Sequence, residues 1–196
     1  MLKKCSLYGV DMVLREEAIK IIIEKDITKL TRDEREAMLW NSWGIDEHDP
    51  EFQFFSKGLQ EELLSSDVPT HDVMDNRYNE LLLKVTEGSF YGIPNEYLSK
   101  LVSEIVGSHI EVEGYVEKLL PCPCCHYETL EQRGEYDICP VCFWEDDGNN
   151  DPSRYSGPNH MTLSEGRSNF EKYGACSEKG AEFLTDNRYE IYKKAD

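Results

Sequence analysis

The feature that most constrains this chain is a pair of short cysteine motifs in its C-terminal half. The first is Cys122-Pro-Cys-Cys125 and the second is Cys139-Pro-Val-Cys142, with thirteen residues between them. Two thiolates three positions apart can point at one ion from a single tight turn, and the proline after each leading cysteine fixes φ for such a turn. Two pairs at this spacing are typical of a zinc site with four thiolate ligands.

The ligands predicted from this spacing are Cys122, Cys125, Cys139 and Cys142. Four thiolates complete the tetrahedral shell of Zn²⁺ and leave no position for water or substrate, so we expect a structural ion. Cys124 or His126 could replace one of the four. The competing interpretation, two disulfides, fits poorly because Cys124 and Cys125 are adjacent and the chain has an odd number of cysteines, seven.

The segments between the two motifs predict a small β-hairpin. Tyr127–Leu130 and Glu135–Ile138 have the composition of short strands, and Gly134 lies in the turn that would join them. A two-stranded hairpin is marginally stable in water, so metal binding would supply much of its folding free energy. The prediction for this part of the chain is therefore a zinc ribbon.

These motifs resemble the small bacterial cysteine-rich CPCC domain family. The resemblance covers residues 119–176 and includes Pro121–Cys125, Ile138–Gly148, Asp151-Pro152, Leu163–Glu165 and Asn169–Gly174. Members usually have glycine after the CPCC run, where this chain has His126. The resemblance implies an accessory module, of a kind associated in some cases with immunity proteins of bacterial polymorphic toxin systems, and it provides no catalytic residue to carry over.

The formal net charge of −18 comes from 39 acidic and 21 basic residues. Nucleic-acid affinity depends on cations that neutralise phosphates, so this charge argues against DNA or RNA as a partner. The region from residue 121 onward is also acidic, with 15 acidic and 8 basic residues. No apolar stretch is long enough to span a bilayer, and none near the N-terminus has the character of a signal peptide. We therefore expect a cytoplasmic protein without membrane contact.

Apolar periodicity predicts that the N-terminal two thirds are helical. Capping boxes begin two predicted helices, at Thr31 and at Thr162, and Trp40 and Trp43 on the first of them are expected to be core anchors. A strand around residues 110–116 is expected to pair with the zinc ribbon. The predicted helices are 10–25, 32–43, a short helix at 59–64, one from Thr70 or Asp72 to Gly88, 95–106, 162–173 and a docking helix within 182–196.

The predicted fold class is mainly α, with an N-terminal helical domain followed by a small zinc-ribbon module of a β-hairpin plus a helix. The predicted domains are 1–108, the helical domain, and 109–196, a CPCC zinc-ribbon-like module with C-terminal helices. No phosphate-binding loop or nucleophile elbow is present, and the histidines are scattered without ligand spacing, so we expect no enzyme activity.

We expect a non-catalytic protein that binds another protein. The most specific form of this expectation is an immunity protein that occludes a basic bacterial toxin domain. Two alternatives are a zinc-ribbon module that binds nucleic acid or acts in transcription, and a hydrolase of unknown class. The sequence does not indicate an oligomeric state. The acidic residues expected to meet a partner are Glu145, Asp146, Asp147, Asp46, Glu47 and Asp49.

Overall fold

The computed structural model describes residues 11–195, and these divide into two compact units. Unit 1 contains the described residues up to Tyr91 together with Leu98–Gly114. Unit 2 contains Gly92–Tyr97 together with the described residues from Tyr115 onward. The described residues form seven α-helices, short 3₁₀ turns and six short strands, so the predicted mainly α class is confirmed. The division at residue 108 stays a prediction, because compactness alone does not show that a unit folds by itself.

Unit 1 combines helices with one pair of strands. Strand β1 pairs in parallel with β2, with Val13 opposite Val112. Along β2 the apolar side chains are buried and the glutamates exposed, which is the alternation expected of a strand with one wet face. The elements are β1 (Asp11–Leu14), α1 (Arg15–Ile27), α2 (Arg32–Ser42), α3 (Lys57–Ser65), α4 (Asn79–Glu87), most of α5 (Asn95–Val106) and β2 (Ile110–Glu113).

The core of unit 1 is a cluster of large apolar side chains from α1 to α4. A buried carboxylate, Glu62, lies at its edge and accepts hydrogen bonds from Tyr78 Oη at 2.6 Å and from Thr70 Oγ1 at 2.7 Å. Arg77 Nη1 lies 3.4 Å from the same carboxylate. The core residues are Ile23, Ile27, Leu39, Trp43, Phe55, Leu59, Leu63, Tyr78, Leu81 and Leu82.

Several predicted elements of unit 1 needed correction. The helix predicted from Val10 begins only at Arg15, because Asp11–Leu14 pairs with β2; Val10 lies outside the described residues. Strand β2 therefore pairs with β1 and not with the segment that contains the cysteine motifs. The helix predicted from Thr70 or Asp72 begins as a 3₁₀ turn capped by Asp75 and becomes α-helical only at Asn79.

The other helices predicted for unit 1 are confirmed, but one side chain predicted to be in the core is exposed. Both halves of the capping box of α2 are present at Thr31 and Glu34. Trp43 is buried at 6% exposure, but Trp40 is 51% exposed and is not a core anchor. An α-helix of eleven residues has room for one buried stripe. Arg35 and Leu39 of α2 occupy it, and Trp43, the residue after the helix, continues it.

Unit 2 is built largely from loops around one helix. Helix α6 has the predicted capping box at Thr162 and Glu165, and it ends at Gly174, whose φ of 71° is left-handed. The docking helix predicted within 182–196 is only one turn long. The elements are β3 (Leu120–Pro121), β4 (Glu128–Leu130), β5 (Tyr155–Ser156), β6 (Met161–Thr162), α6 (Leu163–Tyr173) and α7 (Arg188–Ile191).

The predicted hairpin between the two cysteine motifs does not form. Strand β4 pairs antiparallel with β3, and the segment 135–138 contains no strand. That segment instead bonds to the chain that follows the second motif: Tyr136 N donates to Asp146 O at 3.0 Å, and Asp146 N donates to Asp137 O at 2.9 Å. In the part of the chain that the structure describes, no helix has the length and apolar character needed to cross a bilayer.

Candidate metal centre

Each cysteine motif forms the same tight turn. In the first, Cys122 N donates to Tyr127 O at 2.8 Å, and His126 N donates to Cys122 O at 2.9 Å. His126, the residue after the last cysteine of this motif, has a φ of 63°. A residue with a side chain is strained in this left-handed conformation, whereas glycine adopts it without strain.

The second motif forms the same two backbone hydrogen bonds as the first. Cys139 N donates to Trp144 O and Phe143 N donates to Cys139 O, both at 2.8 Å, and the φ of Phe143 is 65°. Each turn places its two cysteine side chains on one side. The local sequence thus forms two equivalent pairs of thiols, as the spacing predicted.

The two turns bring four sulfur atoms together. The Sγ atoms of Cys122, Cys125, Cys139 and Cys142 all lie within 4.8 Å of one another. The Sγ–Sγ distance is 3.6 Å between Cys122 and Cys142, and also between Cys125 and Cys139. Four sulfurs bound tetrahedrally at about 2.3 Å would lie about 3.8 Å apart, so the cluster has the size of a tetrathiolate metal site. All six described cysteines are free thiols.

The four cysteines are shielded from water on every side. Each is at most 1% exposed, and Trp144 and Leu163 beside them are fully buried. Helix α6 approaches so closely that a Cβ at Gly166 would lie 2.7 Å from the Trp144 ring and 3.5 Å from Cys124 Sγ. Only glycine allows this packing at position 166. The cluster is therefore enclosed by protein and not open to substrate.

Two further thiols lie in the same core. Cys124 is 2% exposed, and its backbone N lies 3.4 Å from Cys122 Sγ. Cys176 is 3% exposed, and its thiol donates to Phe143 O at 3.2 Å. Burial raises the pKa of Cys176 to about 12, so this thiol stays protonated. His126 is exposed and lies outside the group of four.

Without an ion, the four clustered thiols share protons unequally. Burial alone would raise the pKa of Cys139, but hydrogen bonds from the other three thiols and from Thr129 outweigh it, so the pKa lies well below the usual value. The pKa of Cys122 is raised, first by its hydrogen bonds to Cys125 and Cys139, and burial raises that of Cys142. Four deprotonated sulfurs would repel one another at this distance, and a divalent cation would remove that repulsion.

An ion pair fixes the chain between the two turns. Asp146 is fully buried, and its carboxylate accepts hydrogen bonds from Arg133 Nε at 2.7 Å and Arg133 Nη2 at 3.0 Å. Gly134 N donates to the same carboxylate at 2.8 Å. This bidentate pair holds the connecting segment beside the second turn. Because the Asp146 side chain is enclosed, it offers no surface to a partner, contrary to the role expected for it.

The remaining predicted contact residues lie in two separate loops. Glu145 and Asp147 are half-buried near the second turn, and Asp147 accepts a hydrogen bond from Asn149 N. Asp46, Glu47 and Asp49 lie in the loop after α2. Glu47 is exposed there, while Asp46 and Asp49 are half-buried and bond to the backbone of their own loop.

Two contributors to the centre have no sequence signal. Thr129 is buried with its Oγ1 3.2 Å from Cys139 Sγ, within reach of a hydrogen bond to that sulfur. The pairing of Arg133 with Asp146 cannot be predicted from the sequence either, because an arginine and an aspartate thirteen positions apart are common in any acidic chain. Gly166, in contrast, has a sequence signal. It lies inside the helix predicted from Thr162, where glycine is unfavourable unless close packing requires it.

Comparison with known families agrees with the cysteine motifs. Residues 120–190 match the family described as Cysteine-rich CPCC. The match supports a CPCC domain over that stretch, which contains both turns, the ion pair and α6. No curated protein and no solved structure gave a significant match to the chain.

Proposed function

We propose that Cys122, Cys125, Cys139 and Cys142 bind one structural Zn²⁺. The proposal depends chiefly on the four enclosed sulfurs, whose separations suit a tetrahedron with an ion at its centre. A tetrahedral set of soft thiolates is typical of zinc or of iron–sulfur chemistry. Zinc is favoured because two Cys-x-x-Cys turns of this spacing are the usual arrangement of structural zinc modules.

Metal analysis tests this assignment. Protein purified without added metal should contain about one zinc per chain. Exchange with Co²⁺ should give the intense visible absorption of a tetrahedral cobalt thiolate. Cys139→Ser should lower the zinc content and change that spectrum, whereas Cys176→Ser, a matched loss of a buried thiol outside the group of four, should leave both unchanged. Iron in place of zinc, or equal loss in the two variants, would contradict the proposal.

We also propose that the protein acts by binding another protein and not by catalysis. A metal with four thiolate ligands has no open position for water or substrate, so zinc would stabilise the fold without taking part in chemistry. The strong net negative charge would attract a basic partner and speed its association. The CPCC resemblance adds a more specific form of this proposal: a cytoplasmic immunity protein that covers the active face of a basic toxin domain.

The acidic loops supply the expected contacts. Glu47 is exposed, and Glu145 and Asp147 are in part accessible near the second turn. Such carboxylates at the edge of an interface contribute mainly to association rate and selectivity, while apolar contacts supply most of the affinity. Replacing them should therefore slow association more than it speeds dissociation.

Co-expression with the product of a neighbouring toxin gene tests the function. The intact chain should restore growth and co-purify with the toxin. The double variant Glu47→Gln with Asp147→Asn should associate several-fold more slowly, and more so at low salt. The control is Glu16→Gln with Asp33→Asn, which removes two exposed acids and so changes the net charge by the same amount. Absence of both rescue and complex formation would remove the immunity role, and a complex without growth rescue would remove the inhibitory role alone.

A further inference from the structure

A groove in unit 1 combines exposed apolar side chains with carboxylates. Its volume is about 470 Å³, and it lies beside the end of α2 and the end of α3. Trp40, Ile45 and Leu64 contribute apolar surface, and Asp46 and Asp67 contribute negative charge. No lysine or arginine lines it.

A hydrogen bond and a ring contact hold the floor of the groove in place. Trp43 is buried there, and its Nε1 donates to Ser66 O at 2.8 Å, which ties the end of α2 to the chain that follows α3. The Trp43 ring packs edge-on against Tyr78, with centroids 5.6 Å apart. Tyr78 in turn donates to the buried carboxylate of Glu62. A groove supported in this way needs little reorganisation to accept a ligand.

Two large apolar side chains at the groove are exposed with no role in the core. Trp40 is 51% exposed and Leu64 is 54% exposed. A tryptophan is the side chain most enriched among residues that dominate binding energy, and apolar exposure rimmed by polar residues marks interaction sites. Trp43 performs the core role on this face of α2, so packing of unit 1 does not explain Trp40.

The charge of the groove favours a cationic occupant. Among the described residues, the only charged ones that line the groove are Asp46 and Asp67, both carboxylates. A cationic segment would be attracted here. A second copy of this chain would be repelled, because each copy carries a net charge of −18.

We infer that the groove binds a basic amphipathic segment of the partner protein, one that presents an aliphatic or aromatic side chain to Trp40 and lysine or arginine to Asp46 and Asp67. This inference rests on the proposed protein-binding function and names the binding face. The apolar anchor would supply affinity, and the two carboxylates would select a cationic sequence over a neutral or acidic one.

A fluorinated protein and a synthetic peptide test the inference. The full chain is labelled with 5-fluorotryptophan and gives one ¹⁹F NMR signal for each of its three tryptophans, Trp40, Trp43 and Trp144. Replacing each tryptophan in turn by phenylalanine assigns the signals. The probe is an amphipathic helical peptide of leucine and lysine about 14 residues long. It should shift the Trp40 signal and leave that of Trp144 in place. The matched peptide with glutamate for lysine should not shift Trp40.

Matched variants separate the two parts of the groove. Trp40→Ala should weaken peptide binding about tenfold or more. Phe54→Ala, which removes an aromatic of unit 1 that lies outside the groove lining and is even more exposed (68%), should not weaken it. Asp46→Asn with Asp67→Asn should weaken binding at low salt, whereas the control Glu16→Gln with Asp33→Asn should not. Equal effects of Trp40→Ala and Phe54→Ala would overturn the inference.

The outcomes also distinguish this inference from the proposed function. If the toxin is neutralised but Trp40→Ala binds it as tightly as the intact chain, the groove inference fails and the function stands. If the peptide shifts Trp40 as expected but no toxin is neutralised, the groove stands and the immunity role fails. Concentration-dependent dimerisation abolished by Trp40→Ala would assign the groove to a second copy and overturn the inference.

Discussion

The buried clusters of the two units contain the same number of residues but different side chains. In unit 1 all ten are aliphatic or aromatic, and in unit 2 six of the ten are cysteines. Burial of a large aliphatic or aromatic side chain stabilises a fold by roughly 1.5–3 kcal/mol, whereas a thiol is small. The two clusters are therefore held by different forces: apolar burial in unit 1 and, on our proposal, a metal in unit 2.

The secondary structure follows the same division. Unit 1 has long helices whose apolar stripes meet, and unit 2 has strands of two or three residues and one helix longer than a single turn among its described residues. Strands this short, paired two by two, cannot support a fold alone. On our proposal, the chain combines a region stabilised mainly by apolar burial with a region whose order depends on a bound ion.

Metal removal should produce the largest difference in folding between the two units. Structural zinc contributes roughly 10 kcal/mol or more to small modules at neutral pH. A strong chelator under reducing conditions should therefore unfold unit 2 and leave unit 1 folded. Hydrogen exchange should show lost protection in α6 and retained protection in α4. The Cys139→Ser variant should behave in the same way without chelator, and retained protection in α6 would show that unit 2 does not depend on metal.

The buried ion pair of unit 2 should have the next largest effect. Arg133→Ala leaves the Asp146 carboxylate buried with only the Gly134 N–H as a partner, which should cost about 3–5 kcal/mol. Arg154→Ala, an exposed arginine in the same unit, should change stability by less than about 0.5 kcal/mol. Denaturant unfolding with saturating zinc measures both. Equal stability of the two variants would mean that metal binding alone determines the order of unit 2.

The buried carboxylate of unit 1 should make that unit sensitive to acid. Burial opposes ionisation of Glu62, but hydrogen bonds from Tyr78, Thr70 and Arg77 outweigh it and lower the pKa of Glu62 to about 2. A lowered pKa stabilises the fold above the unfolded value of about 4.3, and this stability is lost as the pH falls toward 2. The loss should be roughly 3 kcal/mol.

Comparison with Glu62→Gln isolates this contribution. The variant should be less stable than the parent at pH 7, and the difference should shrink between pH 4.5 and pH 2. Unit 1 is monitored through the methyl signals of Leu81 and Leu82, since acid also releases metal from thiolates in unit 2. A stability difference that does not change with pH would contradict the assignment to Glu62.

The smallest predicted effect is a gain in stability at the first turn. His126 is exposed with a φ of 63°, and Phe143 has the same conformation in the second turn with its ring stacked on Phe183. His126→Gly should relieve strain and stabilise unit 2 by about 0.5–1 kcal/mol. Phe143→Gly should destabilise it, because the ring contact is lost as well. Thermal unfolding with bound metal measures both changes.

The sequence predicted the parts of this protein that depend on neighbouring residues. Two cysteine turns, two capping boxes and the helix at 95–106 could be predicted because each is defined within a few consecutive positions. The pairing partners of the strands could not. Strand β2 pairs with residues nearly a hundred positions away, and the segment 135–138 bonds to the chain after the second motif and not to β4.

Burial was the other point that periodicity could not settle. Trp40 and Trp43 lie three positions apart on α2, and only the packing of Trp43 against Tyr78 and Ser66 decides which of them is buried. Asp146 lies in a run of acidic residues that indicates an exposed loop. Its burial depends on Arg133, whose position relative to Asp146 is fixed by the tertiary fold.

The two cysteine turns are each closed by hydrogen bonds within six consecutive residues. During synthesis, each turn can form soon after its own residues leave the ribosome, because no distant strand or helix is required. Joining them closes only a short loop, which takes well under a microsecond for about ten flexible residues. We therefore expect metal capture to be possible as soon as Trp144 has emerged, before α6 exists to cover the site.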